Sequence, residues 1–207
     1  MYIYNMNSAP DTYKSIVSPS EGVYKELGSK FLAFAFPIET EAQAKEIIAS
    51  VKKEYFDARH HCYAYRIGLS GEPWRINDDG EPSSTAGRPI YGQILSNELS
   101  DILIVVVRYF GGVKLGVPGL IRAYKSAAMD AIAHAAVTEK TAGTCYTVKF
   151  DYSRLNDVMK VIKDSGVTVI SQNFDLQCEI SVRVRLSQRD FFRQQLEFCN
   201  IIEESHG

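Results

Sequence analysis

The residues from Asp78 to Ile90 read DDGEPSSTAGRPI. These thirteen positions hold three carboxylates, three hydroxyls, two prolines, two glycines and an arginine. Two chemistries could use such a set. In the first, Asp78, Asp79 and Glu81 join His60, which stands earlier in the chain, as ligands for a metal ion. With Arg88 as an anion binder, that cluster would suit metal-assisted hydrolysis of a phosphorylated small molecule. The spacing argues against this reading. His60 and His61 are adjacent, so on a strand they point to opposite faces, and they lack the i, i+4 spacing of a zinc-binding helix. In the second, Ser83, Ser84 or Thr85 serves as a nucleophile. No GxSxG elbow is present and the residue order offers no triad. Hydroxyls among Asp, Gly and Pro ordinarily cap turns, so Thr85 is expected to cap the helix carrying Arg88. No residue is assigned a catalytic role, and no cofactor is implied.

A second group surrounds a glycine-rich turn. Arg108 ends an apolar run, Gly111, Gly112 and Gly116 follow with Lys114 among them, and Arg122 and Lys125 come next. A strand, a glycine turn and a helix is the form of phosphate-binding loops, where helix N-terminal N–H groups meet an anion. A Walker sequence would need GK[ST] where this chain has Gly116-Val117-Pro118, and there is no GxGxxG. Nucleotide hydrolysis is therefore not expected. Two readings remain: a tight turn that packs a helix on its strand, or a site for an anion such as a backbone phosphate. Arg108 would be costly unpaired in such a strand. It should pair with Asp78, Asp79 or Glu81, or else face a ligand. Arg66 is a further candidate partner for the loop carboxylates.

These groups need elements to hold them. Gly22–Leu27 and Lys30–Ile38 read as strands joined at Gly28-Ser29. Thr40 with Gln43 forms a capping-box pattern, and Ala44, Ile47, Ile48 and Val51 continue at helical spacing. His61–Gly68 alternates as a strand, and a polar loop runs from Leu69 to about Thr85. A short helix follows over Gly87–Leu99, with Pro89 tolerable only in its first turn. Asp101–Phe110, DILIVVVRYF, is a strand apolar enough to be covered on both faces. A long helix runs from about Pro118 to Val137. Residues 1–137 therefore form one domain and 138–143 a polar linker. In residues 144–207, a strand, a helix capped by Ser153 and stopped by Gly166, two strands around Asp175, a helix capped by Ser187 and a last short strand give a ferredoxin-like order. The fold class is α+β: an α/β sandwich, then a ferredoxin-like domain.

The second half carries Arg183 and Arg185 on one strand face and Arg189 and Arg193 at i, i+4. A solvated face is the ordinary reading. Ferredoxin-like sheets that read RNA use stacking aromatics, and VRVRLS has none.

At 207 residues, with 45% hydrophobic and 23% charged side chains, the chain can bury a core without metals or disulfides. A net charge of -2 argues against broad DNA or membrane electrostatics. Cys62, Cys145, Cys178 and Cys199 form no CxxC pair and read as reduced thiols. No signal peptide or membrane-length apolar run is visible, so a cytoplasmic location is expected.

DARHHCYAYRIG at 57–68, NDDGEPSSTAGRPI at 77–90 and VVVRYFGGVKLGVPGLIRAY at 105–124 together resemble the IMPACT family, and within it the bacterial YigZ branch. Two departures are visible: the family commonly has glycine at Ser84, and LGTGGL in place of LGVPGL. The resemblance implies a first domain that looks like domain IV of elongation factor G and like the second domain of a small-subunit ribosomal protein. It implies a second domain like elongation factor G domain V. It also implies a non-enzymatic role in translation or stress response, contacting RNA, the ribosome or a translation protein. The resemblance further implies that eukaryotic relatives regulate translation through an extra domain, which is not expected in this chain.

Overall fold

A computed structural model of the chain describes residues 11–175 and 177–204. The expected strand start at Leu176 lies outside the described residues. In chain order the elements are β1 (Thr12–Ile16), β2 (Ser20–Glu26), β3 (Ser29–Pro37), α1 (Glu41–Glu54), β4 (His60–Arg66), β5 (Trp74–Asn77), α2 (Gly87–Ser96), β6 (Ile102–Tyr109) and α3 (Gly116–Ala133). They continue with β7 (Val137–Thr141), β8 (Gly143–Phe150), α4 (Leu155–Ser165), β9 (Thr168–Phe174), β10 (Cys178–Arg185), α5 (Arg189–Gln195) and β11 (Asn200–Glu204). The result is a mixed α and β architecture in two compact units, Tyr13–Lys140 and the described residues outside it.

The first unit is built on an antiparallel sheet in the order β2-β3-β6-β4-β5. Its centre is β6, and the period-two rule explains how β6 is covered. Ile102, Ile104 and Val106 join Phe31, Ala33, Cys62 and Ala64 in a core beneath α2 and α3. Leu103, Val105 and Val107 face the other way, with Phe34 and Tyr65, against Ala44 and Val51 of α1. The apolar run is continuous because both faces are buried. The capping box of α1 is formed: the Gln43 N–H donates to Thr40 Oγ1, and the Thr40 N–H donates to Gln43 Oε1, both at 3.2 Å.

The β2–β3 turn falls one residue earlier than expected. Leu27 and Gly28 both take positive φ, 46° and 79°, the pairing that matches the twist of a two-residue hairpin. Three strands were hidden in sequence. β5 lies inside the expected polar loop, and β1 and β7 pair as a separate ribbon. β7 occupies most of the stretch expected to be an open linker. All three are short, and β7 is polar along its length, so no hydrophobic period marks them. Asp101 anchors this region. Its buried carboxylate accepts from Tyr13 Oη at 2.6 Å, Lys140 Nζ at 2.9 Å and the Gly68 N–H at 2.8 Å.

The second unit has the order β8-α4-β9-β10-α5-β11, with its antiparallel sheet arranged β11-β8-β10-β9. Tyr146, Val148, Ile180, Val182 and Val184 meet Val158, Ile162 and Phe192 in its core. Two helix caps differ from expectation. Ser153 and Ser187 lie inside 3-10 turns, Tyr152–Arg154 and Leu186–Gln188, that precede α4 and α5, and neither caps its helix. The Ser187 hydroxyl instead donates to the Asp11 carboxylate at 2.6 Å. Gly166 does end α4, at φ 61°. All four cysteines are free thiols. Among the described residues no helix is long and apolar enough to cross a membrane.

Helix α3 reaches the sheet edge because Gly22 on β2 has no side chain. A Cβ there would stand 2.2 Å from the Ala131 backbone nitrogen. Gly22→Ala must therefore push α3 off the sheet. The expected loss is about 1–3 kcal/mol, read as a lower urea midpoint with an unchanged slope.

Candidate functional site

The site begins where β6 stops being apolar. Arg108 continues the parity of Ile104 and Val106, so it lies on the α2–α3 face, only 7% exposed. The register places Phe31 of β3 and His60 of β4 on either side of it. Its guanidinium lies over the Phe31 ring at 5.4 Å and the Phe110 ring at 5.7 Å. Glu81 supplies the counter-charge: its Oε1 accepts from Arg108 Nη1 at 2.6 Å and from Tyr124 Oη at 2.8 Å. Among the three candidate carboxylates, the loop has folded Glu81 onto Arg108.

The other two carboxylates hold the loop itself. Asp78 accepts three backbone N–H groups, from Ser84 at 2.9 Å, Ala86 at 3.0 Å and Gly87 at 2.8 Å. It thus caps α2 from eight and nine residues away. Thr85 does not cap that helix; its hydroxyl donates to the Pro82 carbonyl at 2.6 Å. Asp79 takes φ 42° and accepts from Lys52 Nζ and the His61 N–H, both at 2.8 Å. Its carbonyl meets His60 Nδ1 at 2.9 Å. Ser84 takes φ 63°, where a Cβ is strained and glycine would not be.

His60 and His61 diverge, as the strand period requires. His60 Nε2 lies 4.0 Å from Glu81, whereas His61 Nε2 meets the Tyr55 carbonyl at 3.0 Å. Among the described residues no group of three or more His, Cys, Asp or Glu side chains could hold a metal ion. The hydrolytic cluster is thereby left without a ligand set, because Asp78 is committed to backbone donors and Glu81 to Arg108 and Tyr124. Cys62 is no nucleophile either. Burial pushes its thiol well above the usual range, and the thiol donates to the Asp78 carbonyl at 3.0 Å. Burial, then the neighbouring Cys62 and Glu81, also raises the Tyr124 phenol, which stays protonated and donates to Glu81.

Above this polar floor opens a cleft of about 820 Å³. It is lined by the approach to β4, Asp57 to His60, and by Lys114 to Val117 with Leu120. Phe110 and Tyr109 line it too. The start of α3 lies in this lining, and Leu115 provides no capping side chain there. Lys114 and Arg59 are exposed, with no ion pair or hydrogen bond among the described residues. Arg108 Nε is buried without a hydrogen-bond partner.

The cleft gathers His60, Glu81, Arg108, Lys114 and Gly116 from the sequence candidates. It does not gather the rest. Arg66 is at the other end of β4, about 20 Å away by strand rise, and donates to the Leu99 carbonyl at 3.0 Å. Arg88 is exposed on the first turn of α2 and is absent from the cleft. Arg122 pairs with Glu26, and Lys125 is exposed along α3. Gly111 and Gly112 form the turn but do not line the cleft. A Cβ on Gly111 would stand 1.9 Å from the Gly28 backbone, so glycine is required there by packing. Arg59, Asp57 and Phe110 were missed. Arg59 and Asp57 stand next to the His60 motif, and only the tertiary fold brings them into one cleft with Lys114. In the second unit, Arg183 and Arg185 line a smaller recess of about 240 Å³ with Thr168.

The Impact N-terminal domain family model matches residues 27–132. IMPACT family member YigZ of Escherichia coli (strain K12) is 34% identical over 160 residues, 76% of this chain and 78% of that protein. IMPACT family member YvyE of Bacillus subtilis (strain 168) is 33% identical over 166 residues, 80% of this chain and 76% of that protein. A solved structure described as that of a hypothetical protein superposes with a TM-score of 0.72 at 26% identity, covering 96% of this chain and 100% of its own.

Two stability tests follow from this floor. Glu81→Ala leaves a buried guanidinium without its counter-charge and should cost about 3–5 kcal/mol in urea unfolding. Partial burial raises the Asp79 carboxyl, but the Lys52 and His61 donors outweigh it and hold it below the usual range. A depressed folded-state pKa contributes stability that is complete above the unfolded value, about 3.9, and is lost as pH falls through the folded value. Asp79→Asn should therefore lower stability at pH 7 and flatten its fall below about pH 4, measured by urea midpoints across an acid series.

Proposed function

The chain belongs to the IMPACT family, and from that premise we propose that it is a translation regulator of the cytoplasm that works by binding and performs no chemistry of its own. Its target is RNA of the translation apparatus, held through phosphate in the cleft. The observation that carries this reading is the meeting of Arg59, Lys114 and the uncapped start of α3 around one opening. Side chains without partners and first-turn N–H groups are what a phosphate needs. The likeness to domains IV and V of elongation factor G that the family resemblance implies would suit a ribosomal setting. In this reading residues 1–137 supply the phosphate contact and residues 144–207 form a second domain.

Affinity of this kind depends steeply on salt, because each neutralised phosphate releases counterions. The test is co-sedimentation with ribosomes over a salt series, beside an Arg59→Ala/Lys114→Ala variant. Binding should fall with salt, and the variant should bind more weakly with a logarithmic salt slope shallower by about one to two. Both side chains are exposed, so the variant should keep the wild-type unfolding midpoint. Equal binding by the variant sinks the proposal, as does the absence of sedimentation at low salt.

A further inference from the structure

We infer that the cleft recognises one nucleotide unit carrying a single phosphate, with the phosphate at Lys114 and the start of α3 and the base stacked on Phe110. The inference rests on the phosphate reading above and names the ligand of the same site. The charge lining the cleft sets the number of phosphates. Arg59, Arg108 and Lys114 stand against Asp57 and Glu81, which leaves one net positive charge. The N-terminus of α3 adds about half a charge. That suits one phosphate group. A second or third would exceed that charge, because Arg108 is already engaged by Glu81.

A helix start alone would not define a site; the lining of the cleft also carries the exposed cations Arg59 and Lys114. Arg108 lines it too, 7% exposed, with its Nη1 held by Glu81 and its Nε without a hydrogen-bond partner. Phe110 indicates the rest of the ligand. It is 55% exposed, its ring is supported by the Arg108 guanidinium at 5.7 Å, and Leu115 and Val117 add apolar lining to the same cleft. A large exposed ring braced by a cation is a stacking platform that accepts any base. The volume, about 820 Å³, lies within the range of small-ligand sites.

The test is isothermal titration calorimetry of the full chain at low salt with adenosine monophosphate, ribose 5-phosphate and adenosine triphosphate. The monophosphate should bind about tenfold more tightly than ribose 5-phosphate, because only it stacks. The triphosphate should bind no more tightly than the monophosphate. Phe110→Ala should reduce the nucleotide to the level of the sugar phosphate, with only the small fall in unfolding midpoint that loss of the Arg108 contact brings. Equal binding of nucleotide and sugar phosphate overturns the inference, and so does a triphosphate that binds tenfold more tightly. Competition separates two sources of the same chemistry. Displacement of a 5′-phosphorylated oligoribonucleotide, with no competition from its 5′-hydroxyl counterpart, supports a strand end; no competition from either supports a free nucleotide. If no mononucleotide binds while ribosome sedimentation still depends on Arg59 and Lys114, this inference alone fails. If both are absent, the proposed function fails with it.

Discussion

The contact between Arg108 and Glu81, at 2.6 Å, ties the two most polar stretches of the first unit together. Arg108 directly follows six consecutive buried apolar residues on β6. At that depth a lone guanidinium would lose its hydration with nothing in return. Its partner comes from a loop whose backbone has no sheet or helix to follow. The pair therefore does more than neutralise charge, because it fixes where the loop lies. Once Glu81 is held, Asp78 falls within reach of the α2 N-terminus and Asp79 within reach of His61 and Lys52. The loop is rigid through side-chain contacts, and its density of carboxylates is used mainly to build structure.

That arrangement separates the cations of the first unit into two kinds. Arg108 and Arg122 have carboxylate partners, and Arg66 has a backbone carbonyl. Arg59 and Lys114 have none among the described residues, and both line one cleft. A small protein with a net charge of -2 can still concentrate positive potential in this way, because local geometry outweighs the overall balance.

The glycine turn shows how a motif can serve packing and binding at adjacent positions. Gly111 is pressed against the Gly28 backbone and donates its N–H to Ser29 Oγ at 3.1 Å. Gly116, at φ 68°, opens α3 at the wall of the cleft. Close packing requires glycine at Gly111, but against the β2–β3 turn and not between α3 and its strand; the anion reading concerns the residues from Lys114 onward. Pro118 sits in the first turn of α3, where its missing N–H costs the helix nothing.

The sequence alone determined the elements whose signal is local. The capping box of α1, the buried β6 strand, the αL stop at Gly166 and the family motifs depend on short-range sterics and on hydrophobic period, and both can be read along a chain. It also narrowed the Arg108 partner to three carboxylates, but could not choose one. The tertiary structure decided that choice, moved the α2 cap from Thr85 to Asp78, revealed β1, β5 and β7, and divided the candidate cations into those inside and outside the cleft. Each of these depends on which strands pair and in what register. Register brings residues 48 positions apart, such as His60 and Arg108, side by side, and sends Arg66, only six residues from His60, to the far end of the sheet.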